Sequence, residues 1–275
     1  MTYLECTLHC HTNLCDGKNT PEEMAKAAIE QGVKVLGLSG HSHTSHDDSY
    51  CMSRENTVFY RQEIARLNRE YAGRLTILCG LEWDLWSDEN LSDWDYTVGS
   101  AHYVTDRNGV RHSVDHNEET LRAALAAFDG DGLAMAEAYF AAVAQVAEKR
   151  PTILGHFDLL KKLNGSGKFF DENHPRYRAA ALSALEAAAG KVQALEINTG
   201  GVARGYRKDF YPAPFLLKRW KELGGEVALT ADAHTAEGLL FAFDEAAEYA
   251  KSCGFTRAMV FNASGKPEFV ALTQE

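Results

Sequence analysis

Tyr3-Leu4-Glu5-Cys6-Thr7-Leu8-His9-Cys10-His11 opens the chain with an apolar run that ends in two histidines one residue apart. Near the other end, the run at 227–230 is closed by Asp232-Ala233-His234. In a strand, residues i and i+2 point to the same side. Each motif therefore offers two metal-ligand side chains on one face at a strand end. Between them, His41, Glu82, His102 and His156 also follow β-like runs by a residue or two. A barrel gathers its strand ends at one mouth and would bring all of them together. The implied site is polynuclear and hydrolytic.

The intervening sequence supports that architecture. Strands are expected at 3–8, 35–38, 76–81, 96–100, 152–155, 194–198 and 227–230, with a further short run at 258–261. Helices are expected between them at 21–31, 53–71, 134–149, 176–189, 212–223 and 236–252. Thr20, Pro21 and Glu23 form a capping-box start for the first helix, and Gly32 a stop. Alternating strands and helices argue for βαβ units and a parallel sheet. A closed barrel, unlike an open sheet, lets the first strand meet residues from every other strand. No dinucleotide glycine fingerprint follows a strand; Gly165-Ser166-Gly167 is too short, and Gly200-Gly201 reads as a loop. Insertions are expected at 42–52, 105–117 and 161–174. No linker divides the chain, so a single domain over 1–275 is expected.

Composition narrows the functions. The 275 residues are 45% apolar, ample for one large core. The formal charge of −11 disfavours nucleic acid and anionic membrane as partners. No run of 18 apolar residues is present, and no secretory signal pattern. The six cysteines form no C-x-x-C pair and are expected to be reduced thiols of a cytoplasmic protein. Cys10 alternates away from His9 and His11.

A single His-x-His is weak evidence, and His41-Ser42-His43 supplies another in this chain. Position carries more weight than count. His9, His11, Asp16, His41, Glu82, His102, His156, Asp232 and His234 all lie at strand ends or in the adjoining loops. A carboxylate such as Glu82 inside an apolar run also needs a partner. His43, His46, His112, His116 and His174 lack that placement and read as loop residues. Imidazole and carboxylate without thiolate suit Zn, Mn or Fe and disfavour calcium.

This set resembles the polymerase-and-histidinol-phosphatase (PHP) superfamily over essentially the whole chain. The resemblance implies a distorted (β/α)7 barrel with three metals at its C-terminal face, leaving 258–261 outside the barrel. It implies that His9, His11, Glu82 and Asp232 surround one divalent ion. Glu82 would bridge to a second held with His102 and His156, and Asp16, His41 and His234 would hold a third. Gly80-Leu81-Glu82, Gly99-Ser100-Ala101-His102, Gly155-His156-Phe157-Asp158 and Leu195-Glu196-Ile197-Asn198-Thr199 resemble its histidinol-phosphate phosphatase group. That group places basic residues after the last two stretches to hold phosphate. Here Lys161-Lys162 occupies the first place. The second holds Gly200-Gly201, with Arg204, Arg207 and Lys208 only later.

The expected activity is therefore hydrolysis of a small phosphorylated substrate, L-histidinol phosphate, in histidine biosynthesis. A metal-bridging hydroxide would attack phosphorus in line. Lys162 and Arg204 are the candidates for binding the phosphate, and Asp16 or His234 for assisting the leaving alkoxide. Two alternatives are a PHP phosphoesterase acting on nucleotides or other small esters and a non-catalytic metal-binding PHP domain.

Overall fold

The computed structural model describes residues 1–273. Its first half comprises β1 (Cys6–Thr7), α1 (Pro21–Glu30), β2 (Val35–Leu38), α2 (Arg54–Glu70), β3 (Thr76–Asp84), β4 (Tyr96–Ser100), β5 (Tyr103–Thr105), β6 (Arg111–Ser113) and α3 (Glu118–Ala127). The second comprises α4 (Gly132–Glu148), β7 (Ile153–Leu154), α5 (Pro175–Ala188), β8 (Ala194–Asn198), α6 (Gly200–Ala203), α7 (Pro214–Glu222), β9 (Val227–Thr230), α8 (Phe243–Ser252), β10 (Arg257–Phe261) and β11 (Pro267–Ala271). The capping box at Thr20 and Glu23 forms as expected, with the Thr20 hydroxyl accepting from the Glu23 amide at 3.2 Å.

Seven strands make one parallel sheet in the order β1-β2-β3-β4-β7-β8-β9. The ring closes at the mouth. The His11 amide donates to the Ala233 carbonyl at 2.8 Å, and the Ala233 amide to the His9 carbonyl at 3.0 Å. The seam of this distorted (β/α)7 barrel thus lies between the two motifs that frame the sequence.

Each barrel strand sends at least one apolar side chain to an inner cluster, among them Cys6, Val35, Leu78, Val98, Ile153, Ala194 and Ala228. Stepping up a strand by its period of two keeps the same face. On β3 the step leads from Leu78 through Gly80 to Glu82, on β8 from Ala194 to Glu196, and from Ala228 to Thr230 and Asp232. The inner face therefore turns from apolar to ionic along the barrel axis. Tyr96 fills the level between. A Cβ at Gly37 or Gly80 would come within 2.3 Å of its side chain, so both positions must be bare. Its hydroxyl donates to the Leu8 carbonyl.

Residues 258–261 are indeed extended, but they pair antiparallel with β11 rather than joining the ring. Met259, Val260 and Phe261 pack on the inner cluster, and β10 meets both β1 and β9, closing the base. Other expectations shift. Tyr3–Glu5 is a 3-10 turn, so β1 is shorter than residues 3–8. β3 runs on to Asp84, placing Glu82 within the strand. The helix expected from 236 starts at Phe243. Gly200-Gly201 opens a single helical turn instead of a loop. Among the described residues no helix is long and apolar enough to cross a membrane.

Candidate metal centre

The barrel mouth brings together all nine side chains singled out in the sequence. His9 and His11 face inward as the i, i+2 spacing requires, while the Cys10 thiol turns toward the Thr7 hydroxyl. His9 Nε2 and His11 Nε2 lie 3.2 and 3.4 Å from Glu82 Oε2. The same two nitrogens lie 3.7 and 3.2 Å from Asp232 Oδ1. Ligands about 2.0–2.1 Å from a tetrahedral ion stand roughly 3.3 Å from one another, so this spacing fits a shared ion. His9 Nε2, His11 Nε2 and Glu82 Oε2 are buried and make no hydrogen bond among the described residues. Three such atoms converging without hydrogen bonds of their own suit a bound cation.

Glu82 faces two ways. Its Oε1 lies 2.8 Å from His156 Nε2 and 3.3 Å from His102 Nε2, and its Oε2 lies 2.8 Å from His41 Nδ1. A third group forms at the outer edge. Asp16 Oδ2 is 3.1 Å from His234 Nε2 and 3.6 Å from His41 Nε2, and its Oδ1 is 3.5 Å from His11 Nδ1. Gly17 makes this possible: a Cβ there would sit 2.6 Å from the His11 backbone, so only glycine lets the loop fold back. His11, Asp16, His41 and His234 can hold an ion, as can His9, His11 and Glu82 or His41, Glu82 and His102.

The electrostatics agree. Burial pushes Glu82 and Asp232 upward, but the facing charges outweigh it and hold both well below the usual carboxylate range. For Glu82 these are His41, His9 and His102; for Asp232 they are Arg204 and His9. Burial opposes the charged form of His102, yet Glu82 and then Asp84 raise it to about 10. Burial, then His234 and His41, lower His11 to about 3. The cluster thus shares protons that bound cations would displace.

Two further carboxylates hold histidines of the cluster in place. Glu196 is fully buried and accepts from His9 Nδ1 at 2.5 Å, from the Thr230 hydroxyl at 2.6 Å and from the His156 amide at 2.5 Å. Asp84 lies 3.1 Å from His102 Nδ1. Such partners orient a ligating imidazole and raise its basicity. Both lie on the inner face, two residues from Asn198 and Glu82 respectively, and the sequence signal for each is a carboxylate inside a largely apolar strand.

The basic candidates separate. Lys162 and Arg204 line the cavity above the cluster. Lys162 Nζ is 3.3 Å from Asp115 Oδ2. Arg204 donates to the Asp232 carbonyl at 2.8 Å and to its carboxylate at 2.9 Å, and its Nη1 is 3.0 Å from His234 Nδ1. These bonds brace Asp232, whose φ of 49° lies in the left-handed region. Lys161, expected to reach the mouth, is instead fully buried between Asp158 and Asp209. Arg207 turns away to Glu172 and Asp209. Of the loop histidines, His116 lines the cavity, while His174 caps α5.

The PHP domain family matches this chain over residues 7–200. The chain belongs to the PHP family. A Deinococcus radiodurans protein named "Probable histidinol-phosphatase" is 31% identical over 90% of this chain and 94% of its own length. The histidinol-phosphatase of Bacillus subtilis is 26% identical over 86% of this chain and 96% of its own length. The crystal structure of histidinol phosphate phosphatase from Lactococcus lactis, complexed with Zn, L-histidinol and phosphate, superposes with a TM-score of 0.71. It is 22% identical and covers 96% of this chain and 99% of that one, sharing the PHP barrel fold.

Proposed function

We propose that this chain is a metal-dependent phosphomonoesterase that converts L-histidinol phosphate and water to L-histidinol and phosphate. It would act in histidine biosynthesis, in the cytoplasm, with residues 1–275 working as one barrel domain. The observation that carries this reading is the converging ligand set at the mouth of a chain whose near full-length relatives are histidinol-phosphatases.

Three divalent ions, Zn, Mn or Fe, would be held by the groups described. His9, His11, Glu82 and Asp232 would hold one, Glu82 with His102 and His156 a second, and Asp16, His41 and His234 a third. Zn is the metal found with the Lactococcus protein. Such ions neutralise phosphoryl oxygens and make hydroxide available near neutral pH. The chain's own groups do the rest. Lys162 and Arg204 both line the cavity and would balance charge that the phosphate keeps through the reaction. Arg204 offers a planar fork, and Lys162 a point charge. Asp16 or His234, 3.1 Å apart at the accessible edge, would assist the leaving alkoxide.

The test is phosphate release by the metal-loaded protein over histidinol phosphate, nucleotides and sugar phosphates. Histidinol phosphate should have the highest kcat/KM. A nucleotide or sugar phosphate preferred by tenfold or more would overturn the assignment.

A further inference from the structure

The carboxylates lining the cavity are not equivalent. Asp16, Glu82 and Asp232 belong to the histidine cluster. Asp47 is committed to β5 and its own loop: one oxygen accepts from the Tyr103 hydroxyl at 2.6 Å, the other from the Ser49 amide at 3.0 Å and hydroxyl at 2.6 Å. Asp115 remains. Its Oδ2 meets Lys162, and its Oδ1 has no hydrogen-bond partner among the described residues. The position is rigid. The neighbouring Val114 is fully buried, and its amide donates to the carbonyl of His102 at 3.0 Å. A carboxylate with a free oxygen is thus anchored beside a cavity-facing ammonium and next to the proposed metal ligands.

That pair is complementary to a substrate of one kind. A phosphate ester with an ammonium on the adjacent carbon carries opposite charges a few bonds apart. Its phosphate can take Lys162 while its ammonium takes Asp115, so two charge-assisted contacts replace one ion pair. A phosphate ester lacking the amine would leave Asp115 facing the cavity uncompensated, which is a penalty. We infer that Asp115 is the specificity-determining residue that selects a vicinal amino-phosphate ester.

The inference rests on the histidinol-phosphatase reading, and its test separates the two. Parent protein and Asp115→Asn are compared on L-histidinol phosphate and on its deamino analogue, imidazolylpropyl phosphate, with metal content measured for both. The ratio of kcat/KM for the two esters should fall by roughly ten- to a hundred-fold in the variant, the size of one charge-assisted hydrogen bond. Inhibition by L-histidinol should weaken by a similar factor. Inhibition by inorganic phosphate should not weaken, because Lys162 is released from its partner. Asp115→Glu, which keeps the charge, should retain a preference for the amine-bearing ester. A ratio within twofold of the parent's for Asp115→Asn, or an Asp115→Glu ratio as low as the Asn variant's, overturns the inference alone. A parent that releases no phosphate from histidinol phosphate overturns the functional reading and the inference with it.

Discussion

Glu82 and Asp16 are both carboxylates ringed by imidazoles at one barrel mouth, yet their side chains are 1% and 32% exposed. Glu82 rises from a strand, fixed by neighbours on both sides. Asp16 hangs from a loop that reaches the cluster only because Gly17 packs on the His11 backbone. Water can solvate Asp16 if its partners are lost, whereas nothing but protons or cations can satisfy Glu82. The inner half of the site is therefore obligatory architecture, and the outer half can be exchanged piece by piece.

Mutation can break that contrast. Glu82→Ala should show the largest effect, removing more than one equivalent of bound metal and abolishing turnover. Elemental analysis of a fully loaded Glu82→Ala protein would put the bridging role in error. Glu196→Gln comes next: it keeps the shape but weakens the hold on His9, and metal affinity should drop by roughly ten- to a hundred-fold. Chelator competition measures this, and unchanged affinity would make Glu196 a packing residue only. At the outer edge, Lys162→Ala should cost roughly ten- to a hundred-fold in kcat/KM with metals retained. Arg204→Ala should lose as much and also loosen the ion held by Asp232, since the same guanidinium braces that residue. Steady-state kinetics within twofold of the parent for both would move the phosphate contacts elsewhere. The smallest effect belongs to exposed Lys208, where substitution by alanine should leave kcat/KM within about twofold.

The convergence of the nine side chains was legible because each follows a strand, at its end or in the adjoining loop, and strand ends have only one mouth to meet at. The barrel was legible from the strand–helix alternation for the same reason. The fates of Lys161 and Lys162 were not. They lie in a 3-10 turn, Leu159–Leu163, where successive side chains point about 120° apart. One enters the core and the other the cavity, and no local pattern says which. Asp115 lies in the expected insertion at 105–117, whose hairpin, β5 with β6, is positioned by tertiary contacts. Glu196 was visible as a carboxylate inside an apolar strand. Its role depends on Thr230 and His9, which are brought to it only by the sheet order.

The ring is sealed by backbone hydrogen bonds between His9–His11 and Ala233, more than two hundred residues apart in sequence. At about 5–20 residues per second, the ribosome makes the first of these tens of seconds before the last. Throughout that interval the opening strand has no neighbour on its outer side, and the His9–His11 pair has no Asp232. Nascent protein must therefore keep half a binding site waiting. Ring closure then waits for Ala233, and the pairing of His9 and His11 with Asp232 comes with it.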